Sequence, residues 1–225
     1  MTRNYLIGGI IGLVLLGLGG YGLWYSQAIK TDGLVTFKEI ELDEATRNYF
    51  TQRLAVDQAA IEAAKQSGAE LDLDLYLAVA SDAYALGDLV TARTALEVQL
   101  EGNALNYSAW NFYGTVLEDM TDYDGAKDAY KKAIDSQAAI EEFYRDYINL
   151  LVAHFPGSAQ EVKSILELSI KERGQTSWNM VELGDWYKEA GDCSQAIEHY
   201  TVAASLTPGS QAIKDDLATL RQGCK

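Results

Sequence analysis

The side chains most able to bind a metal or move a proton here are His154, His199, Cys193, Cys224 and an excess of carboxylates, 33 Asp and Glu against 18 Lys and Arg. Neither histidine stands at a metal-ligand spacing from the other or from a cysteine. "DYDGAKD" at 122–128 approaches the acidic alternation of a calcium loop. It lacks the third acidic position before the glycine and a closing glutamate at the right distance. No GxSxG elbow, P-loop or glycine-rich phosphate cradle occurs. The carboxylates are spread along helix-like stretches, where a solvated face accounts for them. The residues therefore predict no catalytic centre, no metal and no cofactor; this chain is not expected to be an enzyme.

What must position any functional residue is a packing pattern, clearest in "ELGDWYKEAGDCSQAIEHYTVAASLTP" at 182–208. Leu183 and Tyr187 lie four apart, on one helical face. Gly191–Asp192 is a turn signal, with glycine free to take a positive φ. Ile197, Tyr200 and Ala204 form a second apolar stripe. Gly184 and Ala196 are small where two antiparallel helices would cross, and Pro208 closes the unit.

The segment resembles a tetratricopeptide repeat (TPR), a 34-residue helix–turn–helix. A second copy starts at Tyr107, with Trp110, Tyr113–Gly114, Leu117, Ala126, Tyr130 and Ala133 at matching places. A first copy starts at Leu73, with Tyr76, Val79–Ala80, Ala83, Gly87, Ala92 and Leu96. A degenerate third starts at Glu141, with Tyr144, Tyr147, Leu151, Leu166 and Ser169, and its turn is rewritten as "HFPGS" around Pro156. The tail from Gln211 to Gly223 reads as one more helix, with Ile213, Leu217 and Leu220 covering the open end of the stack. Upstream, Asp43 is expected to cap a helix running to about Gln66 and ending at Ser67–Gly68. Tyr49, Phe50, Leu54 and Ile61 would pack it on the first repeat, and "TDGLVTFKEIEL" before it is a linker or short strand. The fold class is thus all-α, a TPR-like helical-hairpin solenoid over 73–225, with a linker and helix at 31–72 and a hydrophobic helix at 1–30.

The resemblance implies that the inner helix of each pair lines a face for peptides or other proteins. Carried over, the lining positions are Asp74, Leu77, Ser81 and Tyr84; then Asn111, Thr115, Glu118 and Asp119; then Arg145, Asn149 and Val152; then Trp178, Val181, Asp185 and Lys188. A family subset grips a terminal carboxylate with Lys, Arg and Asn. Here only Asn111, Arg145, Asn149 and Lys188 are of that type, and their acidic neighbours oppose an anionic guest. A neutral or basic segment, or another copy of the chain, fits the charge better.

The uncharged run from Tyr5 to Tyr25 is long enough to cross a bilayer, with Tyr21, Trp24 and Tyr25 at its far end as an aromatic belt. Ser26-Gln27-Ala28 resembles a small-x-small cleavage site, but the run exceeds the usual 7–15-residue signal core, which favours a retained anchor. Arg3 and the terminal amine precede the run, whereas Lys30 after it is soon met by Asp32. That balance leans toward the N-terminus inside and the body outside the cytoplasm, in periplasm or at the cell surface. The chain carries −15, and because residues 1–30 hold only Arg3 and Lys30 the remainder carries −17, which argues against nucleic acid and anionic lipid as partners of the body. Gly8, Gly12, Gly19 and Gly22 share one arc of the apolar helix, a face for close contact with its own copies or a partner. The functional expectation is a membrane-anchored extracytoplasmic scaffold for protein–protein interaction or assembly. The alternative is a structural subunit of a pilin-like filament with the glycine-rich helix in its core, although residue 5 is Tyr rather than the glutamate of type IV pilins.

In a stacked array, Cys193 in the last inter-helix turn and Cys224 past the terminal helix become neighbours despite the 31 positions between them. That predicts a disulfide, provided the tail leans inward, since helix spacing of about 10 Å exceeds what a bridge tolerates. The competing reading is two unrelated thiols.

Overall fold

The computed structural model describes residues 33–223. The apolar run at 5–25, Gly8, Gly12, Gly19, Gly22 and Cys224 lie outside them. The chain divides into two units, 1–32 and 33–225; among the described residues the regular structure is helix, with one isolated antiparallel bridge, Phe37 to Asp88. Among the described residues no helix is long and apolar enough to cross a membrane.

The helices are α1 (Glu44–Ser67), α2 (Leu73–Ala85), α3 (Leu89–Gly102), α4 (Tyr107–Asp119), α5 (Tyr123–Ser136), α6 (Glu141–His154), α7 (Ala159–Arg173), α8 (Ser177–Glu189), α9 (Cys193–Leu206) and α10 (Gln211–Gly223). The starts at 73, 107, 141, 177 and 211 are those set by the repeat spacing. Consecutive helices pack as α2–α3, α4–α5, α6–α7 and α8–α9, with α1 against α2 and α10 against α9.

Local chemistry explains the boundaries. Asp43 accepts the Thr46 N–H at 3.0 Å, and Gly68 ends α1 in the left-handed region at φ 69°. Three hairpin turns share one device, an aspartate N-cap after a positive-φ residue. Asp88, Asp122 and Asp192 accept from Thr91, Gly125 and Gln195 at 3.0, 3.1 and 3.1 Å. The residues before them are Gly87 (φ 84°), Thr121 (φ 67°) and Gly191 (φ 79°). The third repeat departs from this. Its N-cap, Ser158, makes no capping bond and instead donates to the Leu151 carbonyl at 3.1 Å, tying the "HFPGS" turn back onto α6.

Packing refines one expectation. In both the second and the fourth repeat the group that fills the space over the first-helix glycine is a tyrosine ring of the second helix. A Cβ at Gly114 would lie 2.6 Å from the Tyr130 ring, and one at Gly184 2.6 Å from Tyr200 and 3.4 Å from the Ala196 carbonyl. On α1, Ile61 is buried and Leu54 half-buried against the first repeat, but Tyr49 is 55% exposed. Its hydroxyl accepts from Arg53 at 3.0 Å rather than packing on α2. Leu217 and Leu220 are buried and Ile213 packs beside them, so α10 closes the stack as expected.

Candidate partner-binding face

The first helices of successive pairs touch one another through side chains, and most of these are the predicted lining residues. Tyr84 on α2 donates to Asp119 on α4 at 2.8 Å, and its ring meets Phe112 edge-on at 5.3 Å. Asn111 on α4 donates to Asp146 on α6 at 2.8 Å. The Arg145 guanidinium on α6 sits 4.6 Å above the Trp178 ring of α8. Four helices remote in sequence thereby form one continuous face.

The individual placements differ. Leu77 and Val181 are half-buried against the apolar clusters beneath the face. Thr115 is turned to its own helix, donating to the Asn111 carbonyl and accepting from Tyr130, each at 3.3 Å. Asn149 and Lys188 are exposed, with Lys188 4.0 Å from Asp185. Trp178 donates to Glu182 at 3.1 Å. The side-chain carbonyl of Asn111 is buried and accepts no hydrogen bond.

The face is acidic, and its own cations are largely committed. Arg145 is held by Glu141 at 2.6 Å, and the same carboxylate takes Arg173 at 3.0 Å. Burial pushes the Glu141 carboxyl up, but the two guanidinium partners outweigh it and leave it below its usual range. Asp146 and Glu182 go the other way. Burial raises Asp146 against the Asn111 hydrogen bond, and Glu142 raises it further. Burial likewise raises Glu182 against the Trp178 bond, with Asp185 adding to the rise. Both carboxylates would be relieved by an added cation.

Asp146, Glu182 and Phe112 were not singled out from sequence, although each sits one place after a carried-over lining position. The missing signal was the width of the exposed stripe, which spans two adjacent positions. Lys38, which reaches Asp119 from 81 positions away, had no local signal at all.

The other candidates for chemistry are structural. Asp122 of "DYDGAKD" caps α5. His154 stacks on Tyr123 at 3.8 Å and lies 3.5 Å from Glu118. His199 stacks on Tyr187 at 5.2 Å, and burial lowers its pKa, with Lys163 lowering it further against Glu198. Among the described residues no group of three or more His, Cys, Asp or Glu could hold a metal ion. Cys193 opens α9 and is not a free thiol.

No family model and no curated protein matches the chain. Solved structures do. A crystal structure of MamA superposes with a TM-score of 0.58 at 14% identity, covering 80% of this chain and 99% of that one. MamA 41-end from Desulfovibrio magneticus RS-1 gives 0.53 at 16%, covering 68% and 86%. YrrB, described as a TPR protein with an unusual peptide-binding site, gives 0.54 at 16%, covering 75% and 84%. At such identities the likeness speaks to fold, and the fold is that of a TPR-like helical-hairpin solenoid.

Proposed function

We propose that the chain is a protein-interaction scaffold whose first-helix face, along α2, α4, α6 and α8, takes a neutral or basic segment of a partner protein. The observation that carries this is the pair of half-buried carboxylates, Asp146 and Glu182, both raised by burial and by acidic neighbours on a face whose arginine is already bound. A cation from a partner would relieve both. The TPR-like fold, and the peptide-binding site ascribed to YrrB, support the same reading. An anionic guest would meet Glu118, Asp119, Glu142 and Asp185 as well.

The reading extends to the termini. The run at 5–25 anchors the chain in a membrane with the body outside the cytoplasm, and Gly8, Gly12, Gly19 and Gly22 let that helix associate with its copies or a partner helix. A Cys193–Cys224 bridge suits that oxidising side. The filament-subunit alternative keeps the same helix face and places it in an assembly core.

The test is binding of a lysine-rich and a glutamate-rich peptide of equal length to the full chain. The lysine-rich peptide should bind more tightly, with the difference shrinking as salt rises. Equal binding of the two, or preference for the acidic one, would overturn the proposal.

A further inference from the structure

The chain already lays one extended, lysine-bearing segment on the edge of this face. Residues 34–40 run past the ends of α2 and α4. The Val35 N–H donates to the Met120 carbonyl at 3.0 Å and the Lys38 N–H to the Gly87 carbonyl at 2.9 Å. Gly87, at φ 84°, lies so close to the Lys38 carbonyl that a Cβ there would strike it. The Lys38 ammonium lies 2.8 and 2.7 Å from the two oxygens of Asp119 and 5.9 Å from the Tyr84 ring centroid. Tyr84 donates to the same carboxylate at 2.8 Å, so an aromatic ring and a doubly engaged carboxylate together seat one ammonium.

The segment is thinly held for something that occupies so defined a seat. Beyond the Lys38 ammonium, its grip is two backbone hydrogen bonds, which include the Phe37–Asp88 bridge, an Arg47 guanidinium bond to the Ile40 carbonyl at 3.0 Å, and the half-buried Leu34 and Ile40. Val35 is 39% exposed, Phe37 58%, and Lys38 itself 44%. Glu39 and Glu41, both exposed, follow the lysine and bring negative charge to an acidic face. A segment with the same lysine and neutral neighbours would be the better ligand.

We infer that Asp119 and Tyr84 form a lysine seat at one end of the partner face, filled in cis by Lys38, so that a partner's extended lysine-bearing segment binds by displacing residues 34–40. The inference rests on the proposed function and adds to it the partner's chemistry and a built-in competitor. A tethered segment acts at an effective concentration of about millimolar. Cis occupancy therefore weakens binding in trans and sets a threshold that the partner must exceed.

The probe is a labelled peptide of residues 33–42 with Glu39→Gln and Glu41→Gln, titrated into the full chain and into its Lys38→Glu and Val35→Pro variants. Both variants release the strap without touching Asp119 or Tyr84. Each should bind the probe about tenfold or more tighter than the unsubstituted chain, and Asp119→Asn in the Lys38→Glu background should abolish that gain. In the unsubstituted chain, saturating probe should speed hydrogen exchange at the Lys38 amide. Equal affinity across the unsubstituted chain and both variants overturns cis competition while leaving the partner face standing. Failure of every chain to bind both this probe and the lysine-rich peptide overturns the two together.

Discussion

The ring of Tyr200 packs directly on Gly184, where a Cβ would lie 2.6 Å from it, and its hydroxyl donates to Asp185 at 2.9 Å. Tyr130 repeats the arrangement on Gly114, with its hydroxyl 3.0 Å from Glu118. A second-helix tyrosine thus crosses a first-helix glycine and fixes an acidic side chain of the proposed partner face. Packing within the hairpin and orientation of the face are one device.

Gly184→Ala should therefore destabilise, by about 1–3 kcal/mol as for other overpacked cores, and Ala196→Leu by a similar amount, since Ala196 is fully buried. Gly209→Ala, with no atom near its Cβ position, should leave Tm unchanged. Thermal unfolding of the three variants checks this; an unchanged Tm for Gly184→Ala and Ala196→Leu would refute the assigned register.

Thr121 holds a left-handed φ of 67° in the turn where the first and last repeats place glycine. A β-branched residue pays for that conformation, while glycine gives back some entropy of the unfolded chain. Thr121→Gly should stabilise by a net of about 0.5–1 kcal/mol, read as a higher denaturant midpoint at constant m. A lower midpoint would show that the threonine side chain contributes more than the strain costs.

Asp82 on α2 is fully buried, and its oxygens accept no hydrogen bond; its ion partner is Arg53 of α1, at 3.3 Å and half exposed. Burial raises the Asp82 carboxyl, Arg53 opposes the rise and Asp57 adds to it. A raised pKa in the fold means that the neutral form is favoured. Its contribution to stability is fully present below the usual carboxylate range and lost as pH rises through the raised value. Arg53→Ala should thus lower Tm at neutral pH and much less near pH ~4, and adding Asp82→Asn should restore it. An equal loss at both pH values would assign Arg53 a packing role instead, through its contact with the Tyr49 ring.

For the proposed Cys193–Cys224 bridge, alkylation of the unreduced, denatured chain should find no thiol and the reduced chain two. The closed loop contributes about 3–4 kcal/mol in the chain-entropy account, so reduction should lower Tm. Two alkylatable thiols without reductant would end the pairing and weaken the case for an oxidising compartment.

Much of this fold was legible because a 34-residue repeat fixes helix starts through turn chemistry. Gly87–Asp88 and Gly191–Asp192 announce their hairpins, and Asp43 and Gly68 bracket α1. The tyrosine-on-glycine contacts were less legible, because spacing identifies small residues but not which neighbour fills the space. The face was half legible. Carried-over positions found Tyr84, Asn111, Arg145 and Trp178, but the tuned carboxylates Asp146 and Glu182 depend on burial and on contacts from the next repeat. The Lys38–Asp119 pair, 81 residues apart, is set wholly by tertiary placement.

If a basic segment binds along the first-helix face, charge reversal on that face must weaken it while reversal elsewhere must not. Asp146→Lys and Glu182→Lys lie on the face; Glu167→Lys, on α7, does not and serves as the control. Titration with the lysine-rich peptide should show each face variant at least about tenfold weaker and the control within about twofold of the unsubstituted chain. Equal weakening by all three, or none by the face variants, would contradict it.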